Sequence, residues 1–152
     1  MEAVLFVGIQ GSGKSSFFKE RFYSTHVRIN RDVLKTAHRE REFIETCLRT
    51  QQAFVIDKVN ARREQRAEYI RAAKTAGFRV VGYYFKCGTR EAIARNELRG
   101  GKEKIPVVGI LGAYKQLQVP AAEEGFDELH CVSLNAQNQF IDEPASDVNL
   151  TK

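Results

Sequence analysis

The 152-residue sequence has no tryptophan, a single methionine, three prolines and three cysteines. Cys47, Cys87 and Cys131 are odd in number, widely spaced and without a CxxC pair, so neither a disulfide framework nor a zinc site is encoded. His26, His38 and His130 form no cluster, which leaves no structural metal in the pattern. No window approaches the roughly 18 apolar residues of a membrane span. The N-terminus runs from Met1 and Glu2 into a short apolar stretch without the basic region and small-residue cleavage site of a signal peptide. The expectation is therefore a chain with reduced thiols, no membrane partner and a cytoplasmic location.

What is present fits one ordinary domain. Hydrophobic residues make up 43% and charged residues 28% of the sequence, and a chain of this length buries a sizeable core without metals or disulfides. A net charge of +5 favours anionic partners, whether nucleotides, polynucleotides or phosphorylated metabolites.

Apolar runs of strand length alternate with helical segments. Ala3 to Val7, Val27 to Asn30, Ala53 to Ile56, Phe78 to Phe85 and Phe126 to Leu134 read as strands. Lys14 to about Tyr23, Arg31 to Gln52, Glu64 to Ala76, Thr89 to about Arg99 and Pro106 to about Gln118 read as helices. Strands that alternate with helices of this length predict βαβ units, hence an α/β fold with a doubly wound parallel sheet of about five strands. Residues 135–152 are rich in Asn and Gln, contain Pro144 and have no period; they read as a weakly ordered tail or linker after a domain at 1–134.

Gly8-Ile9-Gln10-Gly11-Ser12-Gly13-Lys14-Ser15 satisfies GxxxxGK[ST] between a predicted strand and a predicted helix, the context that this phosphate-binding loop requires. Glycines let successive N–H groups point into one concavity, and the helix adds its positive end. Lys14 is then expected at the β- and γ-phosphates of ATP and the Ser15 hydroxyl on Mg2+. Asp57 closes a buried strand at the ligand edge of the sheet and is a candidate magnesium carboxylate, or a loop cap. Asp32, at the end of the second strand, is a candidate base for an acceptor hydroxyl, or a helix cap. Arg95, Arg99, Lys102 and Lys104 flank Gly100 and Gly101; they read as a short lid with an arginine for the phosphates, or as a solvated basic face.

Gly-Ser-Gly-Lys-Ser after the first strand, Ile29-Asn30-Arg31-Asp32, Val55-Ile56-Asp57-Lys58-Val59-Asn60, and Arg95-Asn96-Glu97-Leu98-Arg99-Gly100 followed by Ile105-Pro106 together resemble the kinase domain of bacteriophage polynucleotide 5′-hydroxyl kinases. The resemblance covers about residues 3–118. It implies an adenylate-kinase-like fold, ATP with Mg2+ as donor, and a polynucleotide 5′-hydroxyl, DNA or RNA, as acceptor. It makes Asp32 the general base, with Lys14 and Arg99 stabilising transferred charge. The nucleotide contacts become Gly8, Gly11, Ser12, Gly13, Lys14, Ser15, Ser16 and Arg95. Asp57 and Asn60 line the acceptor cleft. Three residues after the base the family carries an arginine that holds the acceptor phosphate; Lys35 stands there, with the charge but without the bidentate fork. The family often carries a phosphatase or ligase domain, so a longer native chain is one expectation. A small-molecule or nucleoside kinase of the same fold, and a regulatory nucleotide-binding module, are the rival readings.

Overall fold

A computed structural model describes residues 1–101 and 104–152. Six strands form one sheet: β1 (Glu2–Val7), β2 (Val27–Ile29), β3 (Phe54–Ile56), β4 (Arg79–Phe85), β5 (Glu128–Leu134) and β6 (Phe140–Pro144), in the spatial order β2-β3-β1-β4-β5-β6. All neighbours are parallel except β5 and β6. The helices are α1 (Lys14–Arg21), α2 (Arg31–Leu34), α3 (Ala37–Thr50), α4 (Arg63–Thr75), α5 (Thr89–Glu97) and α6 (Val107–Gln116).

The unbroken apolar run of β1 is explained by burial on both faces. Ala3 and Leu5 join Ile44, Cys47, Ile70 and Ala73 from α3 and α4, while Val4 and Phe6 join Phe17, Phe18 and Phe22 on the other side. Phe6, Phe17 and Phe85 meet at ring separations of 4.9–5.9 Å, fixing α1, and hence the loop before it, against the sheet. All three cysteines are buried and free, and burial pushes each thiol above its ordinary pKa.

Two expectations need correction. The long helix at 31–52 is two helices, because Lys35 adopts φ 73° and Thr36 starts a new helix by accepting the Arg39 N–H at 3.1 Å. Residues 135–152 are not a weakly ordered tail: they supply a sixth strand. Asn135 Oδ1 accepts the N–H groups of Gln137 and Gln139, both at 2.9 Å, so the Asn-rich segment is a hairpin turn. Phe140 then packs 5.1 Å from Phe17, and the Tyr84 hydroxyl donates to Thr151 O at 3.1 Å. Among the described residues no helix is long and apolar enough to cross a membrane.

Candidate active site

The tips of β1, β2 and β3 open on one cleft of about 1340 Å³, walled by α1, α2, α4 and α6. Pockets for one small ligand run roughly 300–1,000 Å³, so this cleft has room for two. Lys14, Ser15, Ser16, Asp32, Asp57, Asn60 and Arg99 line it. The loop between β1 and α1 is built around two left-handed glycines. Gly11 has φ +82°, and a Cβ there would sit 2.5 Å from Ala92 O; Gly13 has φ +99° and caps α1. No other residue type fits Gly11 without moving α5. At the start of α1 the N–H groups of the first turn have no partner within the helix. Ser12 Oγ and Gln10 Oε1 are buried without a partner among the described residues, and the Ser12 hydroxyl is a donor for an anion in the loop.

Lys14 Nζ donates to Gly8 O at 2.7 Å and Ile9 O at 2.9 Å. Its pKa is lowered to about 8, chiefly by desolvation and also by Arg99, against the opposing charges of Asp57, Cys87 and Asp32. The ammonium is thus held in the loop at the edge of its charged range, where phosphate oxygens would restore it.

Asp32 is not a helix cap. Asn30 is: its Oδ1 accepts from Asp32 N at 3.0 Å and Val33 N at 3.3 Å, while its Nδ2 donates to Asp57 O at 2.9 Å. The Asn30 side chain therefore binds the tips of β2 and β3 together and aims α2, leaving the exposed Asp32 on the cleft wall. Asn60, with φ 48°, donates from Nδ2 to Phe6 O at 2.7 Å, so its amide clamps β1 to the loop after β3.

Asp57 is 2% exposed and accepts from Arg28 Nε at 2.8 Å; Arg28 Nη2 also donates to Ser15 Oγ at 2.9 Å. Arg95 lies outside the cleft lining and holds the phosphate loop by donating to Gly11 O at 3.1 Å. Lys35 is exposed and likewise absent from the lining. Among the cations that line the cleft, Arg31 and Lys58 are the sequence neighbours of Asp32 and Asp57, and no local pattern marks either as an anion contact. Both converge on Glu40 Oε2, at 2.8 and 3.4 Å, and Lys58 also donates to the Tyr69 hydroxyl at 3.2 Å. Burial pushes the Glu40 carboxyl up, but Arg31 and Lys58 outweigh it and hold it below its ordinary range.

Of the expected lid, Lys102 lies outside the described residues. Asn96 is bound to Ile105: its Oδ1 accepts from Ile105 N at 2.8 Å and its Nδ2 donates to Ile105 O. Arg99 lines the cleft, whereas Lys104 pairs with Glu97 at 2.9 Å and is absent from the lining.

The family model of the AAA domain matches residues 35–116, more than half of the chain. The chain belongs to the AAA domain family. Together with the phosphate loop that precedes the matched segment, this makes it a P-loop nucleotide-binding domain of the kinase-like kind. A bifunctional polynucleotide phosphatase/kinase of Schizosaccharomyces pombe is 24% identical over 147 residues; the match covers 93% of this AAA-domain chain and 36% of the yeast protein's length. The crystal structure of AvrRxo1-ORF1:-ORF2 with ATP superposes with a TM-score of 0.71 at 12% identity, covering 93% of this chain and 57% of that one. Chaetomium thermophilum Kti12 in complex with ADP-AlF3 superposes at 0.60 and 14% identity, covering 86% and 88%. These likenesses at low identity establish the α/β fold.

Proposed function

We propose that this domain is an ATP- and magnesium-dependent kinase that transfers the γ-phosphate to the 5′-hydroxyl of a polynucleotide, DNA or RNA. The observation that carries the reading is the carboxylate of Asp32 on the wall of the same cleft as Lys14, Ser15 and Arg99. With Asn30 as the cap of α2, Asp32 has no capping duty and is available to the acceptor. The acceptor hydroxyl oxygen forms a bond to the γ-phosphorus, the bond to the β,γ-bridging oxygen breaks, and the hydroxyl proton passes to Asp32. Lys14 and Arg99 carry positive charge to the phosphoryl oxygens as the leaving group departs.

Ser15 and Asp57 are the residues that would hold Mg2+. Both offer hard oxygen donors of the type this ion takes, and one guanidinium touches both, so a single cation can reach them together. Bound there, the ion would supply charge neutralisation for the phosphates.

A polynucleotide acceptor brings a phosphate next to its reacting sugar. The reading assigned to Lys35 moves to Arg31 and Lys58, which line the cleft beside Asp32 and Asp57 while Lys35 does not. Arg31 carries five N–H donors, of which one group serves Glu40, so the pair retains the capacity to bind an anion. Tyr69, next to Lys58, offers a ring at the same wall. The 24% likeness to the yeast phosphatase/kinase supports this class of acceptor.

The test is transfer of labelled γ-phosphate to three acceptors: a 5′-hydroxyl oligonucleotide, a nucleoside 3′-monophosphate and the free nucleoside. The first two are expected to be phosphorylated and the third to be a much poorer substrate, with Lys58→Ala erasing most of that difference and Lys35→Ala little of it. Equal use of the free nucleoside would replace the polynucleotide reading with a small-molecule kinase.

A further inference from the structure

Arg28 stands in a three-residue strand, Val27-Arg28-Ile29, whose Ile29 is fully buried in the core. Strand alternation turns Arg28 to the opposite face, where its guanidinium lies 5.6 Å from the centroid of the Phe18 ring on α1. From there it joins two oxygens contributed by separate elements. Its Nε and Nη2 reach Asp57 Oδ2 at 2.8 and 2.7 Å, and Nη2 donates to Ser15 Oγ at 2.9 Å. Asp57 is almost wholly enclosed, so its charge demands a cation, and the guanidinium supplies one.

We propose that Arg28 is a tethered cation that takes the divalent-ion position between Ser15 and Asp57 and competes with Mg2+ for it. The inference rests on the reading of Ser15 and Asp57 as the metal donors. A divalent ion needs the lone pairs that the guanidinium N–H groups engage, so ion and guanidinium cannot use Ser15 Oγ and Asp57 Oδ2 in the same geometry. Arg28 therefore has two consequences of opposite sign. It stabilises the protein without metal by neutralising Asp57, and it weakens metal binding by the free energy needed to part the bridge. A purely structural ion pair would give the first consequence without the second.

The experiment measures Mn2+ binding to the ADP-loaded protein by electron paramagnetic resonance, with Mn2+ standing in for Mg2+. Arg28→Gln should bind Mn2+ roughly tenfold tighter than wild type, the scale of one partly buried charge contact. Arg28→Lys, which keeps the charge but lacks the fork that spans both oxygens, should fall between. Thermal unfolding should show Arg28→Gln less stable than wild type without metal and more strongly stabilised when Mn2+ and ADP are added. Metal-free ADP binding checks that each variant retains a folded phosphate loop. If Arg28→Gln fails to fold, Arg28→Lys carries the test alone. Unchanged or weaker Mn2+ affinity in the folded variants overturns the proposal. Adding Asp57→Asn to the Arg28→Gln background separates the underlying reading. A loss of at least roughly tenfold supports Asp57 as metal donor; no loss overturns the metal assignment, and the Arg28 proposal with it.

Discussion

The two walls of the cleft are built differently. The nucleotide wall is local: eight consecutive residues, Gly8 to Ser15, form a loop of backbone N–H groups, fixed by left-handed glycines and by the aromatic packing of α1. The wall proposed to take the acceptor is assembled from side chains of β2, α2, α3, the loop after β3 and α4, tied by the Arg31–Glu40–Lys58 cluster and by Asn30. A backbone site of this kind tolerates change around it, because its contacts are set by chain conformation. A side-chain site depends on each partner and can be retuned one residue at a time. That is the physical basis for a phosphate loop being shared widely while acceptors differ.

The sharpest break of the nucleotide wall is Lys14→Ala. It should lower phosphoryl transfer by about 10³–10⁴-fold with the fold intact, since Lys14 acts on developing charge and not on packing. Thermal unfolding beside single-turnover transfer checks both halves. On the acceptor wall Asp32→Asn should cost about 10²–10³-fold in transfer and leave ATP binding unchanged. Asn30 caps α2, so helix stability is not at stake; full activity would leave the acceptor without a base.

Arg99→Ala addresses the proposed role of Arg99 at the phosphates. A loss of about 10²-fold in turnover with little change in ATP affinity is expected, against less than about twofold for Lys104→Ala, whose ammonium pairs with Glu97. Equal modest losses would mean a diffuse basic face. The smallest effect is on pH. Because burial lowers Lys14 to about 8, ATP affinity should fall roughly eightfold from about pH 7.5 to 9 as the free protein loses that proton. Stability moves the other way: from about pH 8 to 10.5 the unfolded chain binds more protons at Lys14, so this group's contribution rises with pH. Isothermal titration at the two pH values reads the first, and thermal unfolding at the same values reads the second.

The same contrast decides how much of the site is legible in the sequence. Gly8 to Ser15, the buried strands and the placing of Asp32 and Asp57 just beyond strands two and three follow from local pattern, and the parallel sheet follows from the βαβ alternation. The position of Lys35 outside the cleft lining is not legible locally, because the break at Lys35-Thr36 turns on a positive φ and a Thr cap inside an otherwise helical run. Arg31 and Lys58 owe their place to Glu40, a buried residue on an apparently solvated helix face. Arg28 reads as one polar residue in a short strand; only the approach of β2, β3 and α1 brings it to Ser15 and Asp57. The hairpin at 135–144 was hidden by its own turn chemistry, since the Asn residues that make the turn also make the composition look disordered.

If both walls serve one transfer reaction, ATP consumption must respond to a 5′-hydroxyl oligonucleotide. Wild type should consume ATP slowly alone and at least tenfold faster with the oligonucleotide, one phosphate appearing at the 5′ end per ATP used, and Asp32→Asn should abolish the stimulation while leaving ATP binding in place. ATP hydrolysis indifferent to the oligonucleotide, and equal in wild type and Asp32→Asn, would mark the chain as a nucleotide-binding module and not a kinase.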